Sequence, residues 1–253
     1  MAAAPGHEAA HQHPRGHTEP HAAKHADPSY GQRSLLGVLL ALTALSGLVD
    51  AVCYLGLGRV FTANMTGNVV VLGFAAAGAP GFSVTACLTS LVVFLVGAVC
   101  GGRVSIHISR RSRLLVTAAA LEAFFVAAAS VVALAASTVA TGWPRYLTIA
   151  ILALAMGIRN AVIRRLAIHD MTTTVLTMTL TGLAADSSLA GRGNERAARR
   201  AGSVLAMLIG AVVGAVLYLH RGAGLPLAIM AAAAAIIAVI AYASSAATYL
   251  DAS

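Results

Sequence analysis

Gly47-Leu-Val-Asp-Ala-Val52 returns as Gly157-Ile-Arg-Asn-Ala-Val162, and Gly97-Ala-Val-Cys-Gly101 returns as Gly210-Ala-Val-Val-Gly214. The two strings come back in the same order, displaced by 110 and 113 residues. Short matches arise by accident in an alanine-rich apolar chain, but two collinear matches point to an internal duplication. The repeats run from about residue 35 to 137 and from about 146 to 248. Duplicated halves that each hold a polar, kinkable stretch in an apolar background are the pattern of a transporter-type core.

Composition fixes the solvent. Of the 253 residues 58% are hydrophobic and only 10% charged, and the mean hydropathy is +0.82. Such a chain lacks the polar surface that a water-soluble globule needs, so an all-α integral membrane protein is expected. Six apolar runs, Leu35–Gly56, Val84–Gly102, Leu114–Ser137, Tyr146–Ile163, Ser203–Leu219 and Leu225–Ser245, are each near the ~20 residues that cross a bilayer as a helix. Two more, Phe61–Gly78 and Thr172–Ala190, are long enough to cross but more polar.

Basic residues decide how those two are treated, because Lys and Arg of short loops gather on the cytoplasmic side. If both polar stretches enter and return on the same side, 14 of the 17 Lys and Arg lie with a cytoplasmic N-terminus, and Arg59, Arg145 and Arg221 lie opposite. If both cross, the division is 8 against 9 and the bias vanishes; if only the second crosses, it is 11 against 6. We therefore expect six transmembrane helices plus two re-entrant or half-spanning segments, with full crossing at one or both as the alternative. Three crossings per repeat make the second copy inverted relative to the first. The expected location is a bacterial inner membrane, with both termini cytoplasmic.

Residues 1–34 are polar, carry six of the nine histidines and have no apolar core of the kind a signal peptide needs. They read as a disordered cytoplasmic tail ahead of a single membrane domain at 35–248. Loose metal binding or a charge change near pH ~6 is one use for these histidines; low-complexity drift is the plainer one, since nothing holds them in a ligand geometry, and no metal site or cofactor is assigned. Cys53, Cys87 and Cys100 fall in apolar segments and read as small buried hydrophobes. The net charge of +8 does not imply nucleic acid, because arginines at helix ends are accounted for by topology and anionic headgroups. The expected partners are the lipid bilayer and a small solute that the sequence does not identify.

The candidate site residues are the polar groups inside apolar segments, where a charge costs several kcal/mol and usually sits where it is used. Glu122 is nine residues past Arg113, ~13 Å of helix rise toward mid-membrane, and is the candidate proton carrier; the competing reading is a protonated Glu bonded between helices for packing. Asp50 is matched by Asn160 in the second string, and either binds a solute or ion or merely pins its hairpin. The following stretch offers Asn64, Thr66 and Asn68, with Gly67 allowing an unwound turn; a hairpin whose side chains satisfy its own backbone is the plain alternative. The second polar stretch offers Thr174, Thr177 and Asp186, with stripes at Thr173, Thr177, Thr181 and at Thr172, Thr179, Asp186. Such hydroxyls either line a cavity or join helices. The GxxxG pairs Gly97/Gly101 and Gly210/Gly214 are packing motifs, within the chain or across a homo-oligomer.

Taken together, Ser46-Gly-Leu-Val-Asp-Ala-Val52, Thr62-Ala-Asn-Met-Thr-Gly-Asn68, Gly157-Ile-Arg-Asn-Ala-Val-Ile-Arg-Arg165 and the Thr-rich run from Thr172 to Asp186 resemble the YoaK family of bacterial membrane proteins, a domain of unknown function. The resemblance covers roughly Leu35 to Ser245, leaves the His-rich tail outside, and implies a six-span inner-membrane protein without supplying a substrate. Three classes of function stand. A small-solute secondary permease, proton-coupled through Glu122, uses the most features. A non-transporting accessory or metal/pH-sensing protein would use the tail. A membrane enzyme is disfavoured, since the chain has no GxSxG, HExxH or P-loop.

Overall fold

In the computed structural model the chain is described at residues 28–136, 141–166, 176–185 and 197–250. Within these it is all helical: α1 (Pro28–Gly56), α2 (Met65–Ala76), α3 (Val84–His107), α4 (Arg111–Ala135), α5 (Gly142–Arg165), α6 (Leu176–Ala185), α7 (Ala197–Arg221) and α8 (Gly224–Leu250). Six of these, α1, α3, α4, α5, α7 and α8, are long and apolar enough to cross a bilayer. They coincide with the six runs read from hydropathy. The other two have 12 and 10 residues, about 18 and 15 Å of rise, roughly half the ~30 Å hydrocarbon core. α1 starts at Pro28 inside the expected tail, proline being well suited to a first helical turn; residues 1–27, with all six tail histidines, lie outside the described residues.

Contacts between helix ends set the directions. Tyr218 of α7 lies against Gly56 of α1, Arg145 Nε of α5 donates to the Leu57 carbonyl at 2.8 Å, the Ser90 hydroxyl of α3 donates to the Phe61 carbonyl at 2.6 Å, and the Ser130 hydroxyl of α4 donates to the Gly224 carbonyl of α8 at 3.0 Å. The C-terminal ends of α1, α4 and α7 therefore share one end of the bundle with the N-terminal ends of α3, α5 and α8. α1 and α3 run opposite to α5 and α7, which carry the matching strings, and α4 runs opposite to α8, the third span of the second set. At the end just described sit Arg59, Arg145 and Arg221; at the other sit Arg103, Arg110, Arg111, Arg113, Arg164, Arg165, Arg199 and Arg200.

The repeated glycine strings are where the helices touch most closely. A Cβ at Gly47 would run into the Met207 carbonyl of α7, and Cβ atoms at Gly210 and Gly214 would meet the Ala44 and Leu48 carbonyls of α1. The same holds between α5 and α3: Gly157 faces the Phe94 carbonyl, while Gly97 and Gly101 face the Leu154 and Ile158 carbonyls. Bilayers provide little hydrophobic force between helices, so close backbone contact through small residues takes its place. Both GxxxG motifs thus pack within the chain. Each closes against the other half, α1 on α7 and α5 on α3, while α4 packs on α8. α1 and α5 are the most buried of the six, α7 and α3 the least; the latter show Leu95, Val99, Leu208 and Val212 on their exposed sides, as lipid-facing helices should.

Gly157→Ala should therefore destabilise the protein by about 1–3 kcal/mol, because its methyl meets backbone that cannot step aside. Gly102→Ala, in α3 where nothing lies within 4 Å, should not destabilise it and should add up to about 1 kcal/mol through helix preference. Unfolding midpoints of the two variants in one detergent check the contrast.

Candidate functional site

Two polar centres lie inside the apolar bundle. The first forms where α1 ends. Residues 57–64 leave the helix through Gly58, at φ +94, a value suited to glycine; a Cβ there would also collide with the Arg145 guanidinium that docks on Leu57. The chain then folds back over Asp50. Its Oδ1 accepts the backbone N–H groups of Thr62 and Ala63, both at 2.8 Å, and its Oδ2 accepts the Asn64 side-chain amide. Asn68, fully buried, clamps Phe61 from the other side: its Oδ1 accepts the Phe61 N–H at 2.8 Å and its Nδ2 donates to the Phe61 carbonyl at 2.6 Å and to Ser90 at 3.1 Å. The turn thus has its backbone satisfied at depth by side chains, as irregular backbone in a membrane requires. α2 is helical from Met65, so the unwound turn lies before Gly67, not at it; Gly67 instead leaves room for the Phe61 ring.

The second centre was only half visible in the sequence. Glu122 of α4 is 1% exposed and Arg159 of α5 is 2% exposed. Arg159 Nη1 donates to Glu122 Oε1 at 2.7 Å and to the Leu42 carbonyl of α1 at 3.3 Å, and Nη2 donates to the Ser46 hydroxyl. One guanidinium therefore ties α1, α4 and α5 together. Two of its neighbourhood's polar atoms, Arg159 Nε and Glu122 Oε2, have no hydrogen-bond partner among the described residues. The charge count had placed Arg159 among the arginines of the cytoplasmic end; the structure corrects that assignment, without changing which end is richer in charge. The overlooked signal was its position inside the apolar run Tyr146–Ile163, two residues after Gly157.

The remaining candidates are scattered. Thr66 is exposed and Asn64 half-buried; Asn160, next to Arg159, is half-buried on α5. In α6, Thr177 and Thr181 are exposed and Thr179 is buried. Thr172, Thr173, Thr174 and Asp186 lie outside the described residues. α2 packs on α3 and α6 on α7, the two least buried spans, so the helical parts of the polar stretches sit at the perimeter, apart from each other. The polar groups that do converge at depth are Ser46, Glu122 and Arg159, with Asp50 one turn further along α1 and within electrostatic reach of Arg159. Cys53 and Cys87 are buried as expected, whereas Cys100 is exposed on α3.

Six apolar helices around a charged, hydrogen-bonded interior define a multi-pass α-helical membrane protein. The chain belongs to the family described as protein of unknown function (DUF1275), whose model matches residues 38–242. It is 35% identical over 161 residues, 62% of this chain and 68% of the other, to UPF0700 transmembrane protein YoaK of Bacillus subtilis (strain 168). These findings agree with the motif resemblance. No solved structure matches.

Asp50→Ala should release the turn while leaving the six spans in place. Hydrogen exchange at the Thr62 and Ala63 amides is expected to accelerate by about tenfold or more, in line with loss of ~1.5–3 kcal/mol from hydrogen bonds to a charged acceptor; unchanged protection would show that the turn does not depend on Asp50.

Proposed function

We propose that the protein is a small-solute secondary permease of the bacterial inner membrane, with the arginine-rich end of the bundle cytoplasmic. The observation that carries this reading is the Ser46–Arg159–Glu122 centre. Burying a guanidinium and a carboxyl in a membrane interior costs several kcal/mol, and a pair that served packing alone would be replaceable by apolar side chains at no loss. Here two of its polar atoms are left without partners among the described residues, which is what a site for an exchangeable polar species leaves open.

The solute pathway in this reading runs along α1 past Ser46, between α4 and α5, and not between the polar stretches around α2 and α6, whose helices lie apart. In this reading access alternates by small sliding of packed helices along the seams between the interleaved halves, α1 on α7 and α5 on α3. Glu122 is the proton carrier, and Asp50, with Asn64 and Asn68, holds the turn that caps the pathway. Arg59, Arg145 and Arg221 then face the periplasm.

A pathway at Ser46 has a consequence that needs no knowledge of the solute. With Cys53, Cys87 and Cys100 replaced by Ala, Ser46→Cys should react with a membrane-impermeant methanethiosulfonate from both faces of reconstituted vesicles, at a rate that a pH gradient alters. Ala234→Cys, fully buried in α8, should be inert. Failure of the Ser46→Cys variant to react from either face, in protein that reacts once unfolded, would remove the conduit.

A further inference from the structure

Among the described residues the buried side chains that can carry charge as acid or guanidinium are Asp50, Glu122 and Arg159. With both acids ionised the described part of this interior holds one uncompensated negative charge. The other described elements do not balance it. α8, packed on α4, contains no acid, histidine, lysine or arginine; α3 and α7 carry their arginines and histidines within a few residues of the bundle ends. An uncompensated charge in a low-dielectric interior is costly enough that the group takes up a proton instead.

The hydrogen bonds say which acid takes it. Asp50 accepts three N–H groups, from Thr62, Ala63 and Asn64, spread over both its oxygens. Donors aimed at both oxygens favour the ionised carboxylate and leave no room for an acid hydrogen. Glu122 receives Arg159 on Oε1, while Oε2 has no partner among the described residues. A bare anionic oxygen is far more costly to bury than a bare hydroxyl.

We propose that Asp50, Arg159 and Glu122 form a three-charge core that binds one proton, at Glu122 Oε2, with Arg159 balanced by Asp50 when the proton is present and held by Glu122 when it has left. Uptake breaks one O–H bond of a hydronium ion from the aqueous phase, leaving water, and makes one O–H bond on Oε2, turning the carboxylate into a neutral acid; nothing is oxidised or reduced, and the guanidinium keeps its charge throughout. Losing the proton raises the pull of Glu122 on Arg159 and weakens its hold on Asp50, so the proton's arrival and departure reach the 57–64 turn through α1. This deepens the permease reading, which supplies a use for the proton, but the proton's presence does not require transport.

Infrared spectra of the full chain in lipid vesicles at neutral pH, taken without any solute, test it. The wild type should show a protonated-carboxyl stretch that shifts in heavy water and is lost in Glu122→Gln. Asp50→Asn should also abolish it, since one acid against one guanidinium leaves no charge for a proton to cancel. Arg159→Gln should retain it. A wild type without the band overturns the proposal even if every variant misfolds. So does a band that survives Asp50→Asn, which would make the Glu122 proton independent of the core, or one that survives Glu122→Gln and vanishes only in Asp50→Asn, which would put the proton on Asp50. Thiol accessibility at position 46 is untouched by any of these results, so the two readings fail separately.

Discussion

A guanidinium inside a membrane helix has to find partners, and the bundle is arranged around that need. Arg159 lies a turn and a half from the end of α5, but its side chain stays within the protein and meets Leu42, Ser46 and Glu122. Those contacts set the rotation of α1, α4 and α5 about their own axes, because a rotation of any one would strand a charge or a hydroxyl in apolar surroundings. The glycine seams then set how close the outer helices come.

The two centres lie on neighbouring turns of α1. Ser46 belongs to the Arg159 centre and Asp50 to the turn that follows α1, with Gly47 between them facing α7. A single helix therefore carries the charged centre, the capping turn and the contact with the opposite half. Any shift of α1 along its axis would be felt by all three, which gives a mechanical route from a proton on Glu122 to the position of the 57–64 turn.

Much of the fold was legible because hydropathy averages over some twenty residues and tolerates local error. The six spans follow from that average. The glycine strings were legible for a different reason: backbone contact in a bilayer demands small residues at fixed spacing, so the packing sites show in the letters themselves. Side-chain geometry was less accessible. Arg159 was hidden by Arg164 and Arg165 close behind it, and only a structure distinguishes an arginine that reaches the headgroups from one that turns inward. Gly67 suggested a break in a helix whose break in fact lies at 57–64, since the residues that fold that turn, Asp50 and Asn68, are distant in sequence from it or beyond it. The strings differ at matched positions, Val49 against Arg159 and Asp50 against Asn160. Each half thus contributes one sign of charge at these positions, and only their assembly brings the interior close to neutral.

Arg159 is an interior anchor, and Arg164, five residues on and exposed, is not. Unfolding free energies in lipid bicelles separate them. Arg159→Met is predicted to cost about 3–5 kcal/mol, the usual effect of removing one member of a buried, hydrogen-bonded charge group, and Arg164→Met less than ~0.5 kcal/mol. Equal and small effects at the two positions would contradict the account.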